Sequence, residues 1–318
     1  MSAPSAGRTA DDTAERDALA VVICTHKRPD ALGRLLDRLA ECAADAGSLA
    51  AVGVVVVDDD PAASARSTAE ARAQDFELGL DYRVTGSGNI SVARNTTLEA
   101  GSAMAPWLVC IDDDCVPAVD WLTQLVEVRR RTGADAVCGA CDELAPPGAP
   151  RWLVDEPFLD ELTTGVDGER TTEGHVKNLL LSASFVASHG VRYDERLGRA
   201  GGEDAKFLHE LDLAGIDRRF ASHAIVREQL PLERATLRYQ LRRRFWFGNT
   251  ESVTSIENGR ASRLRMFVSG ARQCVRAVVG PFARVARRQR PWWRFALSEL
   301  LRGVGRMLGA VGVVVDHR

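Results

Sequence analysis

The chain lacks any apolar stretch approaching the ~20 residues that a bilayer-crossing helix requires. Its nearest candidate, "GVGRMLGAVGVVV" close to the C-terminus, is short and interrupted by Arg306. A membrane span is therefore not expected. The N-terminal "MSAPSAGRTADDTAERDA" is polar and without the apolar core of a secretory leader, so residues 1–18 read as a disordered lead-in. Cysteine is present but unorganised. The seven residues are odd in number and scattered through apparent core strands, as at Cys24 and Cys110, which argues against a disulfide framework and for a reducing cytoplasm. Cys138 and Cys141 form a C-x-x-C with no second pair, a spacing that reads as small residues on a strand rather than zinc. The first strand is followed by "THKRPD" instead of a glycine-rich turn, which removes the dinucleotide fingerprint of a dehydrogenase. No internal repeat and no nucleic-acid recognition motif is present.

What remains is a globular composition, 45% apolar and 27% charged over 318 residues, long enough for one large α/β domain with an appendage. The net charge of -3 conceals an asymmetry. From residue 260 onward thirteen arginines face only Glu299 and Asp316, leaving the tail near +11 and the remainder near -14.

Hydrophobic periodicity organises the first half of the chain. "LAVVIC" (19–24) reads as a buried strand, and "PDALGRLLDRLAECA" places Leu32, Leu35, Leu36 and Leu39 at helical spacing behind Pro29. Strands follow at 52–60, 80–85 and 107–111, with a helix opened by Ser91 as N-cap before the last of these. Strands are further expected at 136–144 and 178–186, and a short helix at 201–215, while 145–175 reads as a loop or lid. Continuous apolar strands alternating with helices predict a Rossmann-like, mainly parallel sheet flanked by helices, with its site at the carboxyl ends of the strands. The expected division is a catalytic α/β domain over 19–230 and a helical, arginine-rich region over 231–318.

Three of those strand ends carry polar chemistry: Thr25 to Arg28, Asp58 to Asp60, and the run Asp112, Asp113, Asp114 in "CIDDDCVP". Adjacent carboxylates repel one another, so the run implies either a compensating cation or a solvated turn. Carboxylates beside substrate phosphates are the usual company of Mg²⁺ or Mn²⁺. "GNISVARN" (88–95) adds a glycine, a helix N-terminus and Arg94, an anion site for a diphosphate. Asp58 or Asp59 can accept hydrogen bonds from a base or a ribose.

Taken in order, "VVICTHKRPDAL", "VVVVDDDP", "GNISVARNTTLEAG", "CIDDDCVPAVDWL" and "GGEDAKFLHELDLAG" resemble glycosyltransferase family 2, inverting nucleotide-sugar enzymes of the GT-A fold, over residues 19–215. The resemblance implies that Thr25 and Arg28 border the nucleotide, that Asp58 and Asp59 contact its base, and that Arg94 lies near the diphosphate. Asp112 and Asp114 then form the family's D-x-D, with Asp114 the direct metal ligand and Asp113 in the variable middle position of the nucleotide-binding set. Glu203 and Asp204 stand where the family has its E-D motif, with Asp204 as base and Glu203 holding the acceptor or orienting Asp204. The competing reading of "GED" is a helix cap favoured by the helix dipole.

The match has departures. His26 and Lys27 replace an aromatic and an asparagine, and Asp60 and Pro61 stand where glycine or asparagine then serine is common. The processive Q-x-x-R-W is absent, because Gln240 and Arg243 are followed by Arg244, so transfer of one sugar per encounter is expected. His223 is a candidate third metal ligand or a structural histidine. "ARVARRQRPWWRFALSELLRGVGRMLG" mixes arginines with Trp292, Trp293 and Phe295, as does a segment lying on an anionic bilayer at the inner face of the plasma membrane, or a solvated helical appendage. The expected activity is metal-dependent transfer from a nucleotide-diphosphate sugar to a hydroxyl of a glycan, a lipid-linked intermediate or a small molecule. The rivals are a nucleotidyltransferase and a catalytically silent nucleotide-sugar-binding scaffold.

Overall fold

The structure is a computed structural model that describes residues 16–199 and 201–315; most of the expected lead-in, residues 1–15, lies outside the described residues. The described residues form strands β1 (Asp17–Thr25), β2 (Ala50–Asp58), β3 (Leu80–Val84), β4 (Trp107–Asp112), β5 (Cys115–Pro117), β6 (Ala136–Leu144), β7 (Leu179–Ser182) and β8 (Arg218–Gln229). The helices are α1 (Pro29–Asp45), α2 (Arg66–Glu70), α3 (Ile90–Met104), α4 (Trp121–Thr132), α5 (Arg151–Asp155), α6 (Ala183–His189), α7 (Glu203–Leu213), α8 (Leu237–Glu257), α9 (Arg263–Ala286) and α10 (Trp293–Ala310).

All eight strands join one sheet in the order β3-β2-β1-β4-β7-β6-β8-β5. The half built from β3, β2, β1 and β4 is parallel throughout. In the other half β7 runs antiparallel to β4 and β6, and β5 to β8, while β6 and β8 are parallel. The continuous apolar runs follow from burial on both faces. On β1, Leu19, Val21 and Ile23 point into a core closed by Leu32, Leu36 and Leu39 of α1 and by Trp121 and Leu125 of α4. Ala20 and Val22 point the other way, into a core shared with α3, α6 and α7 through Leu98, Val186, Phe207 and Leu211.

Three local expectations are corrected. The strand expected over 178–186 stops at Ser182, whose hydroxyl accepts from the Phe185 amide and caps α6. The cap of α3 is Asn89, not Ser91; its side chain accepts from the Ser91 amide. β5 was not expected at all, because three residues after an aspartate run carry no periodic signal, and it forms by pairing with β8. All seven cysteines are free, as the absence of a disulfide framework requires.

Helices α8 and α10 cross closely: a Cβ on Gly305 would lie 2.1 Å from the Phe245 carbonyl oxygen. The segment after β6 is tied to this bundle. Leu153 and Phe158 are fully buried beside Leu230 and Ala235, with Phe295 of α10 packed against them. Glu156 accepts from the Phe295 amide at 2.8 Å, capping α10 with a carboxylate at its positive end.

A polar clamp sits in the mixed half of the sheet. Asn178 is fully buried, receives the Trp121 indole N–H at 2.8 Å, and donates to the carbonyls of Ala140 and Ala224 at 2.9 and 2.8 Å. It spans the irregular pairing of β6 and β8 between Gly139 and Ala140. Asn178→Ala strands a buried donor and two acceptors, so it is expected to lower unfolding free energy by roughly 3 kcal/mol with an unchanged denaturant slope, read in a urea titration followed by tryptophan fluorescence.

Candidate active site

The carboxyl ends of β1, β2 and β4 open on one crevice of about 470 Å³, lined by Thr25, Arg28, Asp59, Arg94, Asp112 and Asp114 among others. Parallel pairing brings these ends level, since Cys24 is in register with Asp112 and Thr25 with Asp58.

The aspartate run divides by orientation. Asp113 is 5% exposed and is held from both sides: Thr25 donates its hydroxyl to one oxygen at 2.8 Å, and Arg28 reaches the other at 3.0 Å. Arg28 also bonds Asp114 at 2.9 Å. The middle residue therefore anchors the turn, and Thr25 and Arg28 spend their polar atoms on it as well as bordering the crevice. Asp112 keeps a 34% exposed side chain whose one hydrogen bond among the described residues comes from Arg94 at 3.3 Å. Burial, with repulsion from Asp112, Glu228 and Asp113, pushes the Asp114 carboxyl up to about 6 against the pull of Arg28. Burial likewise raises Asp113.

The aspartates after β2 separate in the same manner. Asp58 has no exposed surface, and its oxygens accept from the amides of Asp60 and Ala65 and from the Tyr82 hydroxyl. It does not line the crevice and shapes the loop, which leaves Asp59 as the acid of this pair at the crevice. Asp59 Oδ1 accepts from Thr85 and from the amide and hydroxyl of Ser87, and Oδ2 has no hydrogen-bond partner among the described residues.

Arg94 is the centre of the arrangement. Its guanidinium reaches Asp112 at 3.3 Å and Asp204 at 3.2 Å and lies over the Tyr193 ring, 5.5 Å from the centroid. Tyr193 stacks in turn on Phe207 of α7. Burial works to lower the Arg94 pKa, but Asp204 and Asp112 outweigh it and hold the group well above its usual range. Arg94 was expected beside a diphosphate; in the fold it joins the aspartate run to the acidic start of α7.

Two glycines deliver that start. Gly201 and Gly202 have φ of +83° and +91°, and a Cβ on Gly201 would lie 2.2 Å from the Trp246 ring of α8. The chain crosses over the indole and turns at once into Glu203 and Asp204, the first residues of α7. Asp204 Oδ1 is shut off from solvent with no hydrogen-bond partner among the described residues. Burial raises the Asp204 carboxyl to about 7, Glu203 and Asp112 add to the rise, and Arg94 opposes it. A carboxylate with one oxygen fixed and the other unengaged, titrating near neutrality, suits proton transfer.

The crevice has neighbours that periodicity did not reveal. Lys177 forms an ion pair with Glu228, and the two groups act electrostatically on Asp204 and Asp114 respectively. Burial alone would lower Lys177; Glu228 holds it above its ordinary range. The pair arises because Glu228 lies opposite Cys115 across the β5–β8 ladder. No local pattern in the sequence announces that pairing. His223 is not brought in. It is exposed, lies where β8 has three residues more than β6 in the Gly139/Ala140 irregularity, and lines no part of the crevice. The partial Q-x-x-R is structural too: Gln240 is fully buried, with its amide on the Arg234 carbonyl, and Arg243 is paired with Glu143.

These residues fit a hard divalent cation of the Mg²⁺ or Mn²⁺ type. Asp112 and Asp114 offer oxygen donors in a cluster whose carboxylates outnumber its arginines, and the raised proton affinity of Asp114 marks the same surplus of negative charge. Among the described residues no group of three or more His, Cys, Asp or Glu side chains could hold an ion by itself. A cation at this position would need its remaining ligands from phosphate and water, as such ions commonly do.

Residues 20–187 match the profile of the family described as Glycosyl transferase family 2. The chain is 34% identical over 295 residues to the succinoglycan biosynthesis protein ExoM of Rhizobium meliloti (strain 1021), covering 92% of each chain. Among solved structures, TarS 1-349 of S. aureus in complex with UDP superposes with a TM-score of 0.54 at 14% identity, covering 92% of this chain and 90% of that one. The same TarS fragment with UDP-GlcNAc gives 0.54 at 15% identity over 73% and 67% of the two chains. Against a further TarS structure the chain spans 38% of the length, with a TM-score of 0.53.

The two tiers of aspartates are separable by stability. Asp58→Ala removes the acceptor of three hydrogen bonds in a fully buried turn and is expected to cost roughly 3 kcal/mol or more, whereas Asp112→Ala should cost clearly less because Arg94 keeps Asp204 as a partner, both measured by chemical denaturation.

Proposed function

This chain belongs to glycosyltransferase family 2, and we propose that it moves one sugar per encounter from a nucleotide-diphosphate sugar to an acceptor hydroxyl with inversion at the transferred carbon. The observation that carries the reading is the Arg94 guanidinium shared by Asp112 and Asp204, which sets the metal-type carboxylates and a base-type carboxylate in one site. The nucleotide lies along Thr25, Arg28 and Asp59, with Asp59 Oδ2 accepting from the base. Asp112 and Asp114 would hold Mg²⁺ or Mn²⁺, which when bound stabilises the negative charge on the departing diphosphate. Asp204, whose side chain is 39% exposed, takes the proton of the acceptor hydroxyl as the hydroxyl oxygen attacks the sugar, and Arg94 keeps the carboxylate ionised and in place until then. Glu203, next to it at the start of α7, orients the acceptor.

The nucleotide sugar bound in a TarS structure supports a donor of this class, and the succinoglycan role in the name of ExoM supports a growing glycan or a lipid-linked intermediate as acceptor. Transfer then occurs at the cytoplasmic face of a membrane. No helix among the described residues is long and apolar enough to cross one, and the arginine-rich C-terminal helices favour contact with an anionic surface.

Calorimetric titration with UDP, GDP, dTDP and CDP should give binding of one diphosphate that is present with Mn²⁺ and lost with EDTA; absence of all binding with metal would overturn the donor site. Asp204→Asn should lower kcat by roughly a thousandfold while leaving the diphosphate Kd unchanged.

The pH profile provides an independent check. The ionised form of Asp204 is the active one, and its pKa is raised to about 7 from an ordinary 3.8, so kcat/KM should fall as pH drops through neutrality instead of holding down to pH ~4. A profile flat from pH 7 to ~5 would exclude an Asp204 base with a pKa raised to about 7, leaving the Asp204→Asn variant to decide the identity of the base.

A further inference from the structure

An unassigned groove lies on the C-terminal helices. A groove of about 640 Å³ runs between α9 and α10, lined on the α9 side by Arg265, Arg272 and Arg276 and floored by Ala277, Pro281 and Phe295. These three arginines are exposed and have no side-chain hydrogen bond or carboxylate partner among the described residues. The groove is lined by one carboxylate, Glu299, which accepts from Gln273 at 2.7 Å through Oε2 and lies 3.7 Å from Arg244, so its charge is turned toward that arginine. Arg284 does not contribute a free charge, since it lies over the Trp292 ring and donates to the Arg290 carbonyl.

Beside the groove runs an apolar stripe. Leu264, Phe267, Val275, Val278, Phe282 and Val285 recur at helical spacing on the outer face of α9, and all are exposed, Leu264 to 73% and Phe282 to 62%. The stripe extends for roughly 32 Å at ~1.5 Å per residue. Trp293 of α10 prolongs it, meeting Phe282 edge to face with centroids 5.5 Å apart and remaining half exposed. Successive 100° steps along α9 put Arg265, Arg272 and Arg276 on the border between stripe and groove. Their charged heads there can rise to phosphates while the stripe enters the acyl boundary.

Resting on the proposed transfer at a membrane face, we infer that α9 lies in the surface of an anionic bilayer by this stripe and that the α9–α10 groove receives the phosphate of a membrane lipid. Charge selects the occupant: α9 carries arginines and no aspartate or glutamate. A second copy docked by the same face would set arginine against arginine, whereas an anionic lipid surface neutralises them at ~1 kcal/mol per residue.

The test is co-sedimentation of the full chain with vesicles. Binding is expected to vesicles of phosphatidylcholine containing phosphatidylglycerol, to be much weaker to phosphatidylcholine alone, and to fall with rising salt. Val275→Glu with Phe282→Glu should abolish it. Arg272→Ala with Arg276→Ala should weaken it about tenfold or more, and Arg287→Ala with Arg290→Ala, an equal loss of charge outside the groove, by clearly less. Equal losses from the two arginine pairs would overturn the groove as a site. Binding indifferent to lipid charge, no binding at all, or a soluble dimer abolished by the stripe substitutions would overturn the docking surface. Diphosphate binding by the wild-type chain without vesicles reports on the glycosyltransferase assignment separately, so either reading can fail while the other stands.

Discussion

A buried guanidinium governs this molecule's working end. Arg94 has lost most of its hydration, and a charge in that position is tolerable only when paired. It draws one carboxylate from the end of β4 and another from the first turn of α7, and rests on an aromatic ring that belongs to the core beneath α7. Sheet, helix and loop are thereby located relative to one cation. Were any of the three displaced, a charge would be left in a region that water does not reach.

Around that cation the acids fall into two kinds. Asp58 and Asp113 have their oxygens filled by amides, hydroxyls and Arg28, and they act as internal struts of two turns. Asp59, Asp112 and Asp204 each retain acceptor capacity. A crevice with this surplus of negative charge disfavours a bare diphosphate, so under the proposed function a divalent cation would have to join the ligand, and metal and donor would bind together.

Much of this was legible in the chain. Alternating apolar strands and helices predict a sheet covered on both faces, and β1, β2 and β4 stand where their valines and leucines put them. Motif order likewise brings Thr25, Asp59, Arg94, Asp112 and Asp204 to one region. What stayed hidden is everything fixed by long-range pairing. Adjacent aspartates look alike in a sequence, yet the pleat turns Asp58 inward and leaves Asp59 at the crevice. The Lys177–Glu228 pair exists only because β5 lies beside β8, and the histidine in β8 was lifted off the sheet by extra residues that no local pattern marks. The strand expected through residue 186 was ended by the Ser182 cap, since a short apolar run serves strand and helix equally well.

The crossing of Gly201 over Trp246 has a bearing on how such an enzyme can diversify. Loop exchange is the ordinary route to a new acceptor preference, because loops tolerate insertion where they face water. In this chain the segment leading into Glu203 lies against an indole of another helix, at a separation where even one added carbon collides. Length and sequence cannot drift freely on that side. The chain at 160–166 is mostly exposed instead, and apart from Thr163, tied to the Cys141 carbonyl, and Gly165, packed on the Phe220 ring, it has room for new side chains.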